Sequence, residues 1–196
     1  LEAERKKVEQ EESKYHSEIE KLKLQLAEAK DDELEKLNAR ILALQSQLAD
    51  VIVKKEEIST LANGKAGNVY VISNLGSFGE NVFKIGMTRR LNPQDRVDEL
   101  GNASVPFRFD VHSFIFSNDA VGLENKLHTL LDDRRVNKVN MRKEFFNISL
   151  DELEQIVTET EPTAEFNRTM AAEEFRQSQS TNENYSSNFN YDEDDE

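Results

Sequence analysis

The sequence predicts an α+β protein: a long N-terminal coiled-coil helix, a small domain with a three-stranded antiparallel sheet flanked by helices, and a disordered acidic C-terminal tail. Three observations carry this. Apolar residues recur at helical spacing without an intervening Gly or Pro from Val8 to Val51. Short β-branched and aromatic runs then alternate with helical ones up to about residue 158. Beyond Pro162 the chain turns rich in Ser, Asn, Gln and acids, a composition that buries too little apolar area to offset its ordering entropy. The expected boundaries are 1–63, 64–158 and 159–196.

In the first segment the stripe runs through Val8, Tyr15, Ile19, Leu22 and Leu26, then Leu34, Leu37, Ile41, Leu44, Leu48 and Val51. Steps of seven, four and three place these on one face, and Glu, Lys, Gln, Ala and Arg fill most of the rest, which is the pattern of a coiled-coil seam over residues 1–53. Leu26 to Leu34 is a step of eight, so the register skips near Lys30-Asp31-Asp32 and the supercoil relaxes there. With no breaker before Gly64, a single helix of about 55–60 residues, roughly 85–90 Å long, is expected. Such a stripe requires a partner, either a second copy (a homo-oligomer) or a helix from an upstream segment. The chain opens on Leu1 rather than methionine, which suggests that such a segment precedes it.

Gly64 and Gly67 suit the end of the helix. Val69-Tyr70-Val71-Ile72 reads as a buried strand, Asn74 to Glu80 as a loop, and Val82-Phe83-Lys84-Ile85 as the second strand of a hairpin. Pro93 sits in the first turn of a short helix ending near Leu100. Phe109 to Phe116 gives the third strand. Asn118-Asp119 caps a helix from about Ala120 to Leu131. Arg134 to Lys143 holds five bases and no acid; Phe145 to Ile148 is an apolar extended stretch, and Leu150 to about Thr158 is a final helix. About 95 residues suffice for one core.

Composition narrows the function classes. The chain has 196 residues and no cysteine, which excludes disulfides and thiolate metal sites. No run approaches a membrane-spanning length and no secretory leader opens the chain, so a cytoplasmic protein with no membrane partner is expected. The net charge of −14 is a poor match for a phosphate polymer. The three segments, however, carry −4, −1 and −9 in order, so the middle domain is nearly neutral and its bases are clustered. Arg89, Arg90, Arg134, Arg135, Lys138, Arg142 and Lys143 are the candidate nucleic-acid contacts. The acidic tail is a candidate competitor for them.

Taken singly, the polar residues of the domain are unremarkable. Glu124 and His128, four apart on a helix, can share a cation but more often make a surface contact. Tyr70 in an apolar strand is by default a core tyrosine, Arg96 a surface residue and His112 a structural one.

Their order adds information. Asn68-Val69-Tyr70-Val71-Ile72, followed by Val82-Phe83-Lys84-Ile85-Gly86-Met87-Thr88, resembles the paired motifs of the GIY-YIG endonuclease superfamily, most closely its phage-type and "meiotically up-regulated" branch with a KIG second motif and an upstream coiled coil. The resemblance continues with Gln94-Asp95-Arg96-Val97, Leu123 to His128 and Glu144 to Ile148, covering about half of the chain. It implies a metal-dependent DNA endonuclease, with a role in phage or mobile-element conflict by analogy. Glu124 would hold Mg²⁺, or another divalent cation such as Mn²⁺; Tyr70 would act as or relay to the base; Arg96 would stabilise transition-state charge; and Asn147 and His128 would support the site. Asn68 and Lys84 depart from the pattern, replacing the first motif's glycine and the second motif's tyrosine. Lys84 is itself a catalytic candidate, able to bind phosphate or orient the water, and it also keeps open an alternative: a catalytically inactive nucleic-acid-binding and oligomerisation module.

Overall fold

The computed structural model describes residues 1–29, 31–62, 64–102 and 104–181. The N-terminal segment is not one long helix. It forms two, α1 (Glu2–Glu28) and α2 (Asp31–Ala62), which fold back on each other. Val8 packs with Val51 and Ile58, and Ile19 with Ile41 and Leu44, while Lys55 reaches Glu12 at 2.6 Å and Arg40 reaches Glu18 at 3.0 Å. The helix stops where the hydrophobic register skips, at Ala29, whose ψ of 150° is extended. The skip therefore marks a reversal of the chain, and the partner for the apolar stripe is the chain's own second half. Once each half buries its seam on the other, a helix of about 85 Å would only expose it again. Gly64, at φ +82°, takes the chain out of α2.

Among the described residues four strands, one more than expected, make an antiparallel sheet in the order β3-β1-β2-β4. These are β1 (Gly67–Ser73), β2 (Val82–Thr88), β3 (Asp110–Ser117) and β4 (Phe145–Asn147), with a single-turn α3 (Leu75–Phe78) between β1 and β2. The apolar stretch after the basic loop supplies β4, in register with β2 at Val82–Asn147, Phe83–Phe146 and Lys84–Phe145. Three helices complete the domain: α4 (Pro93–Asn102), α5 (Ala120–Leu130) and α6 (Leu150–Thr160). Asp119 caps α5 and Ser149 caps α6.

Strand alternation divides the sheet into two faces. Val69, Val71, Phe83, Ile85 and Phe146 point to one side and form the main core with Leu127 of α5 and Leu153 and Val157 of α6. Tyr70 and Ile72 point to the other, against Val97 of α4 and Phe109. That second face is only partly covered by one short helix, which leaves room for a cleft.

The expected tail is corrected over its first part. Residues 161–180 pack along β3 and the loop before it, with Ala164, Phe166 and Met170 on the main core and α7 (Glu173–Ser180) setting Phe175 against Phe107. The Asn167 N–H donates to the His112 carbonyl at 2.7 Å, and Ser113 Oγ donates to the Glu165 carbonyl at 2.7 Å. His112 is buried between the Ser73 hydroxyl (2.8 Å) and the Asn167 carbonyl (2.7 Å), and burial holds its pKa below the usual histidine value. The physical reason is the free edge of β3, whose buried polar groups need partners that this strap provides. The acidic stretch 182–196 lies outside the described residues.

The helical hairpin makes a distance prediction. In a straight helix residues 9 and 57 would lie about 70 Å apart. Because the chain has no cysteine, Glu9→Cys/Glu57→Cys can be spin-labelled directly; diluted into unlabelled protein it should give a separation below about 30 Å by pulsed EPR. A distance near 70 Å would restore the single helix.

Candidate active site

β2 is only half paired on its outer side, because β4 has three residues and stops opposite Lys84. Beyond it the outward backbone groups of β2 take other partners. The Ile85 N–H donates to the Glu144 carbonyl at 3.2 Å, His128 Nε2 donates to the Ile85 carbonyl at 2.9 Å, and the Met87 N–H donates to the Glu124 carboxylate. These partners lie on the chain entering β4 and on α5. A cleft of about 730 Å³ opens beside this edge, lined by Tyr70, Lys84, Arg96, Glu124, Arg142, Lys143 and Glu144 with a floor of Phe78, Phe109 and Phe145.

Tyr70 is 2% exposed and lies across Gly86, its register partner on β2. A Cβ at position 86 would collide with the phenol ring and hydroxyl, so the glycine of the KIG motif makes room for the tyrosine. Burial first, and then the negative charge of Glu144, push the Tyr70 pKa up to about 12, against the opposing pull of Arg96. Arg96 projects from α4 toward the Tyr70 phenol and pairs with Glu99, which also binds Arg90 at 2.9 Å.

Lys84 is 8% exposed, and its ammonium lies 2.8 Å from Glu144 Oε2 and 5.3 Å from the centre of the Phe145 ring. Where the resemblance expects a phenol, the structure has an ion pair. Glu124 reaches the cleft from α5. Burial and then the charge of Glu144 raise its pKa, while the Met87 N–H and Lys84 oppose the rise. The two carboxylates are thus close enough for Glu144 to oppose ionisation of Glu124.

The other candidates fall elsewhere. His128 is spent on the Ile85 carbonyl and rests against Phe146 at 5.2 Å between ring centres; burial lowers its pKa, and it does not line the cleft. Asn147 is exposed opposite Val82, also outside the cleft. Arg135, only 7% exposed, binds Asp132 at 2.9 Å and sits 5.1 Å from the Phe146 ring centre, so it is not a free basic contact. Arg134 is near Asp133 and Glu152, and Arg89 donates to the Gly64 carbonyl at 3.3 Å. Arg142 and Lys143 line the cleft; with Lys138 they are exposed and make no ion pair among the described residues. Glu144 is the site residue that sequence reasoning missed. Its signals were its position immediately before the β4 apolar run and its place at the head of the Glu144 to Ile148 stretch.

Among the described residues no group of three or more His, Asp or Glu could cage a metal. The donor set suits a different mode of binding. A hard divalent cation that keeps most of its water needs one or two carboxylates, and Glu124 supplies one.

Residues 67–161 match a family model described as the T5orf172 domain. This overturns the resemblance given above: T5orf172 is a distinct family, a nuclease-like domain and not a GIY-YIG one. The match covers just under half of the chain and ends with α6, leaving α1, α2 and the strap outside it. No curated protein and no solved structure matches the chain. No helix among the described residues is long and apolar enough to cross a membrane.

Two measurements test this geometry. Gly86→Ala should lower stability by about 1–3 kcal/mol in urea unfolding, because the added methyl overpacks the Tyr70 ring; no loss would mean that the ring lies elsewhere. Glu124 has a raised pKa in the fold, so it resists ionisation and its contribution to stability fades as pH rises through its folded value. Glu144→Gln removes the repelling charge and releases Lys84, both of which favour the ionised form. The Glu124 side-chain carboxyl followed by ¹³C NMR should therefore titrate at lower pH in Glu144→Gln than in the wild type, and an unmoved midpoint contradicts the arrangement.

Proposed function

We propose that this domain is a metal-dependent endonuclease that hydrolyses phosphodiester bonds of DNA in the cleft between α4, β2 and α5. The observation that carries this reading is the convergence of Tyr70, Lys84, Arg96, Glu124, Arg142, Lys143 and Glu144 on one half-open cleft. The nuclease-like character of the matched family supports it independently.

Glu124 would hold a hydrated Mg²⁺ or Mn²⁺. When bound, the cation would polarise the scissile phosphate and offset the charge that develops on it. The remaining work falls to the chain's own groups. Arg142 and Lys143, both unpaired, bind the phosphates flanking the cut and set the register of the strand. Arg96 presents a planar fork of donors to the phosphate as it gains charge, and Glu99 holds the fork in place. Tyr70 is a neutral phenol at physiological pH, because its pKa stands at about 12. It therefore orients the attacking water by hydrogen bonding and is not itself an anionic base. The proton acceptor is the Glu144 carboxylate. As the water oxygen bonds to phosphorus and the bond to the departing oxygen breaks, Glu144 takes the proton from the water, and the open cleft lets solvent protonate the leaving strand. Lys84 fixes the position of Glu144 through their 2.8 Å ion pair. The two basic residues at the cleft also reconcile an acidic chain with a polyanionic substrate, since the contact is local.

The test is cleavage of single- and double-stranded DNA and RNA in Mg²⁺. Glu124→Gln should reduce the rate by on the order of a hundredfold or more, and Tyr70→Phe by about a hundredfold. Arg142→Ala and Lys143→Ala should each flatten the salt dependence of DNA binding by about one unit of slope. If DNA is bound but no metal-dependent, Glu124-dependent product appears, the domain is a binding module that does not cut.

A further inference from the structure

The hairpin loop between α5 and β4 exposes what folding would be expected to hide. Val139 is 96% exposed and Met141 58% exposed, yet neither lies in an unstructured stretch. The loop is closed at its base by the Val136 N–H donating to the Phe145 carbonyl at 2.9 Å and by the bridge between Arg135 and Phe146. Asn137 Oδ1 accepts from the N–H groups of Val139 (3.0 Å) and Asn140 (2.8 Å), while Asn140 Oδ1 accepts from the Arg142 N–H at 3.0 Å. The loop is thus held by polar contacts alone, and its apolar tip contributes nothing to the core.

The tip is flanked by unpaired bases, Lys138 on one side and Arg142 on the other, with no acid from 134 to 143. A cation-flanked apolar tip is a poor match for a lipid-free protein surface of mixed charge. It fits a nucleic-acid duplex, whose phosphates take the bases while the apolar side chain enters between base steps. Continuity favours the same occupant, because Arg142 and Lys143 lead directly from this tip into the cleft.

We propose that the 136–143 loop is a wedge that inserts Val139, supported by Met141, into the base stack of duplex DNA and so delivers the strand to the cleft. This rests on the nuclease reading for its substrate, although insertion itself needs no cleavage. The hydrogen bonds that hold the loop in the free protein lower the ordering cost of insertion. Met141 beside it supplies adaptable apolar contact.

The experiment uses the full chain and a DNA duplex carrying 2-aminopurine at successive positions, whose fluorescence rises when its neighbours unstack. Glu124→Gln, which leaves the loop untouched, should raise the emission at one or two adjacent steps on binding. Adding Val139→Ser should abolish that rise and weaken duplex binding by roughly tenfold, and Val139→Phe should retain the rise. Position 139 touches nothing in the core, so loss of signal cannot be put down to unfolding, and a circular dichroism melt checks this. An absent rise with Glu124→Gln, or an equal rise with Val139→Ser, overturns the wedge. Cleavage by the wild type without such a rise removes the wedge alone; a rise without any metal-dependent cleavage removes the nuclease reading and leaves the wedge standing.

Discussion

The cleft exists because β4 is too short to finish pairing with β2. A full-length edge strand would satisfy the outward groups of Ile85 and Met87 by main-chain bonds alone. Here the ladder ends at Lys84 and Phe145, and buried backbone groups left without partners would cost about 1–3 kcal/mol each. The fold meets that demand with the Glu144 carbonyl, the His128 ring and the Glu124 carboxylate. A requirement of the sheet thereby brings Glu124 and Glu144 to the same cleft.

The rest of the arrangement follows from which residues lie on the half-covered face. Tyr70, Lys84 and Phe145 project there, because β1, β2 and β4 are in register with Tyr70 opposite Gly86 and Lys84 opposite Phe145. One glycine permits the tyrosine to lie flat across its neighbour. On the opposite face Phe83, Ile85 and Phe146 are fully buried, and losing a phenylalanine of that kind typically costs about 3–5 kcal/mol. The cleft face is thus backed by an apolar layer that fixes it. His128 belongs to this support, as does Arg135 behind the basic loop.

Much of this was legible from the chain. Short apolar runs located β1, β2 and β3, Asp119 located the start of α5, and the clustering of bases between Arg134 and Lys143 located the charged loop. Periodicity failed in three places, for separate reasons. The skip between Leu26 and Leu34 was visible, but a one-residue slip in register and a reversal of the chain look the same in sequence; only tertiary packing of α1 on α2 distinguishes them. The strap at 161–180 uses Ala164, Phe166 and Met170 at irregular spacing, and its bonds to His112 and Ser113 are made by the main chain, which has no sequence signature. Glu144, Asn147 and His128 illustrate the third limit. A strand of three residues assigns faces one residue at a time, so a glutamate just outside it enters the cleft while the asparagine at its end does not, and a histidine one helical turn from Glu124 turns to the backbone. The family likeness failed as well: residues 67–161 match the T5orf172 model instead.

The cation proposed at Glu124 is tested most directly by paramagnetic broadening by Mn²⁺ of the amide spectrum of the full chain. Broadening should centre on Met87, Glu124 and Glu144, spare His112 on the far edge of the sheet, and disappear in Glu124→Gln. Broadening centred instead on the acids of α6, or persisting unchanged in Glu124→Gln, would contradict it.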